Sequence, residues 1–203
     1  MRITAVDVRF SHDRTASLFS DFNVELRPRL LYGLVGSSGS GKSTLLSLLA
    51  GFRQPSAGEV IREGVDRVGW VLQNPVGSPR RTALDLVAQP LLYHGASREH
   101  AEQEARQLLT AFKLDNVADR EFRLLSGGEA QRLAFARAAA SNVDALLLDE
   151  PTAQLDPSTA ESVRHVIRQL VSDDRIVVLA THDQALSAAC DVVIDLGAYR
   201  AVA

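Results

Sequence analysis

The sequence predicts an α/β protein with a mostly parallel sheet, a small antiparallel β lobe and a helical lobe. Short apolar runs recur at residues 30–35 (LLYGLV), 68–72 (VGWVL), 145–148 (ALLL), 176–180 (IVVLA) and 192–196 (VVIDL). Several are unbroken, as strands covered on both faces must be. Helical patterns fall between them at about 42–50, 98–112, 128–140 and 157–171, and strand–helix alternation on this scale argues for a parallel sheet. The start differs: ITAVDVRF and FNVELR alternate apolar and polar residues, as in a small antiparallel sheet. Residues 74–125 hold no convincing strand, so a helical lobe at about 74–140 is expected, inserted in the α/β core of a single domain spanning 1–203.

Composition narrows the functional classes. The chain has 203 residues, 46% of them hydrophobic, enough for a sizeable core, and a net charge of −3 that gives no general case for nucleic acid. One cysteine, Cys190, excludes an internal disulfide framework and suits a reducing compartment. MRITAVDVRF lacks the basic-then-apolar layout of a secretion signal, and runs such as IVVLA fall far below the ~18 residues that span a bilayer. A soluble, cytoplasmic protein is expected.

The first candidate site is the stretch Gly36-Ser37-Ser38-Gly39-Ser40-Gly41-Lys42-Ser43-Thr44. It fits G-x-x-x-x-G-K-[ST] between a predicted strand and a predicted helix, the context that motif requires. Glycines let successive backbone N–H groups curl inward on a phosphate, and the following helix adds its positive end. Lys42 would reach the β- and γ-phosphates and the Ser43 hydroxyl would ligate Mg²⁺. A Gly/Ser linker is the bland alternative, but linkers do not sit between a buried strand and an apolar helix such as LLSLLAG. The lysine adds weight, since the chain has twenty arginines and only two lysines, Lys42 and Lys113.

A second half of the site lies in ALLLDEPT, residues 145–152, an apolar strand ending in two carboxylates. The C-terminal end of such a strand is where an open parallel sheet places its ligand. Asp149 would bind the metal and Glu150 would polarise the attacking water. Gln73, ending another predicted strand, could reach the same metal and water. His182 in ATHD follows the strand at 176–180 and could hydrogen-bond the γ-phosphate. His94, His100 and His165 lie on polar helices or loops and read as ordinary surface residues.

LSGGEAQRLAFARA, residues 125–138, opens a helix with two glycines. A capping box from Ser126 to Glu129 explains part of it. A helix start stripped of side chains is also an anion site, although the phosphate loop already supplies one.

Taken in order, GSSGSGKST, VLQNP, LSGGEAQR, LLLDEPT, AQLD and ATHD resemble the motifs of ATP-binding cassette (ABC) ATPases over almost the whole chain. The resemblance implies the phosphate-loop NTPase core of that fold, ATP and Mg²⁺ as ligands, and a head-to-tail dimer. In that dimer Ser126, Gly127 and Gly128 of one chain close on ATP held by the other, which gives the spare anion site a purpose. An aromatic residue normally stacks on adenine; His12 occupies the matching place, with Phe10 nearby. Arg29 stands where a turn glycine is usual, Gln154 where a small residue is commoner, and Glu129 where glutamine is more frequent. Residues 52–70 are short, which implies a trimmed β lobe.

NPVGSPRRTALDLVAQPLLYHG resembles the corresponding region of lipoprotein-release, cell-division and macrolide-export ATPases. The expectation is the ATPase subunit of a membrane transporter, an exporter first with a small-solute importer left open, pairing as homodimer or heterodimer and reaching the inner face of the membrane only through permease subunits. A soluble ABC ATPase of DNA repair, chromosome organisation or translation is the alternative. The sequence has no heptad run, cysteine pair or duplicated motif set to favour it.

Overall fold

The computed structural model describes residues 1–13, 16–153 and 155–199, the side chains of 12, 13 and 16 excepted. Contacts divide the chain into two compact units: Met1–Trp70, Val143–Pro151 and Val171–Ala203 form the first, Val71–Asn142 and Thr152–Leu170 the second.

The first unit contains two sheets. Strands β1 (Arg2–Asp13), β2 (Ala16–Leu26) and β4 (Ala57–Glu63) form an antiparallel sheet in the order β2-β1-β4. Strands β3 (Leu31–Val35), β5 (Val68–Val71), β6 (Ala145–Asp149), β7 (Ile176–Thr181) and β8 (Val192–Asp195) form the other, in the order β5-β6-β7-β3-β8. The pairings of β6 with β7, β7 with β3 and β3 with β8 are all parallel. Every residue of β7 is buried, and so are the first four of β3 and of β6, as their unbroken apolar runs require. Helix α1 (Lys42–Leu49) sits in the same core: Leu45, Leu46, Leu48 and Leu49 pack with Phe19 and Phe22 of β2 and Leu147 of β6. Arg62 of β4 closes the C-terminal end of α1 by donating to the carbonyls of Leu48 and Leu49 at 3.2 and 3.3 Å.

The second unit is helical. α2 (Ala83–Tyr93), α3 (Arg98–Ala111) and α4 (Gly127–Ala140) pack on one another, with α5 (Pro157–Gln169) against α4. Buried Ala101, Ala105 and Leu109 recur every fourth residue along α3. Among the described residues no helix is long and apolar enough to cross a membrane.

Three elements go beyond the expectations. β4 was not foreseen because its apolar residues are exposed or only half-buried, and because its partner β1 lies far away in sequence. α2 is a largely apolar run interrupted by Pro90, in which only Asp85 and Gln89 mark a polar side, and a Thr82–Asp85 capping box starts it. A five-residue helix α6 (Gln184–Ala188) follows His182, capped by Asp183. Arg29 adopts φ 74, so the turn before β3 does demand the left-handed backbone that glycine adopts without strain. Its backbone N–H donates to Ser172 O at 3.0 Å and its guanidinium pairs with Asp173 at 2.8 Å.

A bulge shapes the antiparallel sheet. Between the pairs Val6–Glu59 and Arg9–Ala57, two residues of β1 stand opposite the single Gly58. Asp7 takes φ 49 there, held by Asn23, whose Oδ1 accepts from the Asp7 N–H at 3.0 Å and whose Nδ2 donates to the Asp7 carboxylate at 2.9 Å. Gly58 itself has φ 75, and a Cβ built on it would lie 2.3 Å from the Asp7 carbonyl oxygen. Gly58→Ala should therefore destabilise the protein by about 2–4 kcal/mol, the sum of left-handed strain and a clash with unyielding backbone. Equilibrium urea unfolding checks this; an unchanged midpoint would contradict the bulge.

Candidate functional site: a phosphate loop facing two carboxylates

Three parallel strands end at one place in the first unit. β3 leads into the loop 36–41 and α1, β6 ends at Asp149 and is followed by Glu150, and β7 is followed by His182. The loop has the geometry that its glycines permit. Gly39 and Gly41 take φ 76 and 96, and a Cβ on Gly41 would meet the Phe19 ring at 3.1 Å. Gly41 is also the N-cap of α1, and neither a side-chain cap nor an acidic residue in the first turn satisfies the helix start. Its first N–H groups are therefore left to face a ligand. Ser37, Ser38 and Gly39 are exposed and Thr44 is half-buried, whereas Ser40 is buried with an Oγ that has no hydrogen-bond partner. The fit to a phosphate group is good: an uncapped helix end, a glycine curl and an unsatisfied hydroxyl share one loop.

Lys42 is only 7% exposed. Its ammonium donates to Gly36 O at 3.0 Å and Ser37 O at 3.5 Å, and lies 3.3 Å from Glu150 Oε1. Ser43 Oγ donates to Asp149 Oδ1 at 3.0 Å. Glu150 Oε2 lies 2.8 Å from His182 Nδ1 and accepts from the His182 N–H at 3.3 Å. Glu150 has φ 48, and its own N–H donates to Ala180 O of β7 at 2.9 Å, so an unfavourable backbone is held from the neighbouring strand. Burial pushes the Asp149 carboxyl above its ordinary 3.8 and the nearby Glu150 charge adds to this, against the Ser43 hydrogen bond and the Lys42 charge. A hydroxyl beside a carboxylate is a hard-oxygen donor set that suits Mg²⁺.

The structure thus brings Gly36, Lys42, Ser43, Asp149, Glu150 and His182 together within one unit. It also supplies residues absent from the sequence reading. Thr181, fully buried, accepts the Asp183 N–H at 3.0 Å through its Oγ1, and Asp183 caps α6, so both fix the turn that carries His182. The Asp-before-helix signal was present in ATHD and went unused.

The remaining candidates lie elsewhere or outside the description. Gln73 is in an exposed bend directly after β5 and belongs to the second unit. His12 lies on β1 with its side chain outside the described residues, and Gln154 falls outside them altogether. Phe10 is buried in the core with Arg53 over its ring at 5.9 Å, so it offers no exposed stacking face. Ser126 is the N-cap of α4 in the second unit, in a complete capping box: its N–H donates to Glu129 Oε2 at 2.7 Å and its Oγ accepts from the Glu129 N–H at 3.3 Å. Burial works to raise the Glu129 carboxyl, but the bonds from Ser126 and the charges of Arg120 and Arg132 outweigh it and hold it below 4.5. Among the described residues nothing lies within 4 Å of where a Gly127 Cβ would stand, and a Gly128 Cβ would touch Thr159 at 3.5 Å. The capping box and an open glycine face therefore coexist at this helix start.

Comparison with known proteins agrees with this geometry. The family model of the ABC transporter matches residues 19–153. The lipoprotein-releasing system ATP-binding protein LolD of Hahella chejuensis is 38% identical over 83% of this chain and 80% of its own length. The taurine import ATP-binding protein TauB of Pseudomonas putida is 37% identical over 87% of this chain and 71% of its own. Among solved structures, a dimeric ATP-binding cassette in a post-hydrolysis state, bound to ADP and Pi, superposes with a TM-score of 0.82 at 28% identity, covering 95% of this chain and 93% of that one. The chain belongs to the ABC transporter family, as one of its ATP-binding cassettes.

Proposed function

We propose that this protein is the ATP-hydrolysing subunit of a membrane transporter, working as a head-to-tail dimer of cassettes around two ATP and driving separate permease subunits. The observation that carries the reading is the convergence of Lys42, Ser43, Asp149, Glu150 and His182 at the ends of three parallel strands. The relatives support it: LolD and TauB are ATP-binding components of a releasing and an import system, and the superposed cassette is a dimer. Outward release is the direction we favour, on the strength of the LolD relatives. The taurine-import relative supports the other direction, and the permease that co-purifies decides between them. Contact with the inner face of the membrane would come only through that permease.

In this reading the triphosphate displaces the interactions that now satisfy Lys42. The ammonium leaves the Gly36 and Ser37 carbonyls and Glu150 for the β- and γ-phosphate oxygens. Glu150, released, accepts a proton from the water as its oxygen bonds the γ-phosphorus and the bond to the β–γ bridging oxygen breaks, ADP leaving with that oxygen, and His182 hydrogen-bonds a γ-phosphate oxygen as charge builds there. Ser43 and Asp149 would hold a magnesium ion. When bound, that ion neutralises charge on the β- and γ-phosphate oxygens. His12 would lie against adenine, and Ser126, Gly127 and Gly128 would close on the nucleotide of the partner chain.

Two outcomes test these assignments. Lys42→Ala should weaken ATP binding and lower turnover by roughly 10²–10³-fold, the scale of a lost transition-state donor. Lys42→Arg should fail as well, because a planar fork does not fit the space of a compact ammonium. Near-native steady-state ATPase activity in either variant would remove Lys42 from the site. Asp149→Asn should raise the melting temperature without nucleotide, since a neutral amide accepts the Ser43 bond without a buried charge beside Glu150. The same variant should lose the Mg²⁺-dependent part of the thermal shift produced by ATP. A variant less stable than the native protein that keeps that shift would reject the metal assignment.

A further inference from the structure

We propose that the helical unit carries a second anion site, suited to a phosphate monoester and separate from the phosphate loop of the first unit. It is a recess of about 390 Å³ bordered by the end of α3, the turn after it, α4 and the first turns of α5. Its wall includes Phe112 and Val166, both buried and apolar. Its polar lining is dominated by two cations, an imidazole and two hydroxyls: Lys113, Arg132, His165, Ser158 and Ser162. Among the described lining residues Glu161 is the only carboxylate.

Among the described residues neither Lys113 nor Arg132 makes a direct ion pair. Lys113 Nζ donates to Ser162 Oγ at 3.3 Å, and that hydroxyl donates to Ser158 O at 3.2 Å, so a neutral chain holds the ammonium in place. Among the described residues the Arg132 guanidinium has no hydrogen bond or ion-pair contact, and its Nε is buried without an acceptor. Its charge reaches Glu129, whose carboxylate is already engaged by Ser126. A buried donor with no acceptor is costly, so the Arg132 guanidinium keeps donor capacity that no described residue uses. At His165, Nε2 lies 3.3 Å from Gln169 Nε2; an amide nitrogen only donates, so His165 Nε2 accepts and Nδ1 is left as a donor.

The backbone supports the same reading. Lys113 takes φ 56 just past the C-terminal end of α3, where its N–H donates to Thr110 O and the next N–H to Leu109 O. Glycine or asparagine ordinarily fills that left-handed position, and a lysine there is strained. It is one of only two lysines in the chain. A planar guanidinium, an ammonium and hydroxyls in one recess match a tetrahedral oxyanion. The recess holds many times the ~30 Å³ share of a water molecule, and its apolar wall suits the organic part of a phosphate ester.

The test follows the Arg132 Nε–H resonance by NMR, assigned by its loss in Arg132→Gln. Glycerol 3-phosphate and inorganic phosphate are titrated against chloride at matched ionic strength. The expected result is a saturable shift with both phosphates, tighter for the ester, unaffected by Lys42→Ala, and weakened at least tenfold by Lys113→Asn. Asparagine tolerates the left-handed turn, so the second variant removes charge without refolding it. Stronger binding of inorganic phosphate than of the ester would restrict the site to the free ion and overturn the monoester assignment. A shift matched by chloride, a shift unchanged in Lys113→Asn, or no saturable shift would overturn the anion site itself.

Discussion

The rest of the site depends on the contact between the Lys42 ammonium and the Glu150 carboxylate, 3.3 Å apart and both largely shielded from water. It ties the loop after β3 to the end of β6, while Glu150 also holds His182 at the end of β7. Ser43 and Asp149 add a parallel link between the same elements. An ion pair of this kind is costly to break by removing one partner, because the other charge is left buried. It is far less costly to exchange, when a polyanion arrives for the lysine and a water for the glutamate. In the proposed cycle these two charges stay paired until the triphosphate separates them.

That arrangement rests on backbone positions which most residues avoid. Gly41 allows α1 to begin uncapped against the Phe19 ring, and Glu150 accepts a left-handed conformation held by Ala180. Asp149 is buried beside a second carboxylate and shifted upward as a result. Strain and desolvation are concentrated where the chemistry is proposed, while the fully buried strand β7 beside them supplies the rigid support.

The sequence made the phosphate loop and the two carboxylates legible because each lies at the end of an unbroken apolar strand, and such strands announce themselves. The helix expected at 42–50 occupies Lys42–Leu49, and the strand expected at 145–148 occupies Ala145–Asp149. β4 was invisible since it is exposed or half-buried along its length and exists by pairing with β1, a contact no local pattern encodes. The capping box at Ser126 is legible as Ser126-x-x-Glu129, whereas the open face beside it, with no described residue within 4 Å of a Gly127 Cβ, follows only from the packing. Sequence also could not reveal that Phe10 is buried or that Arg62 closes α1, because both are matters of tertiary packing.

In the proposed cycle ATP binding and ATP cleavage fall to different side chains, with Glu150 reserved for cleavage. Glu150→Gln keeps the shape and removes the charge that orients water. This variant should bind Mg-ATP, lose turnover by roughly 10²-fold or more, and elute as an ATP-bound dimer on size-exclusion chromatography where the native protein is mainly monomeric. Native-rate hydrolysis by Glu150→Gln would contradict the claim, and an ATP-loaded variant that stays monomeric would contradict the head-to-tail dimer.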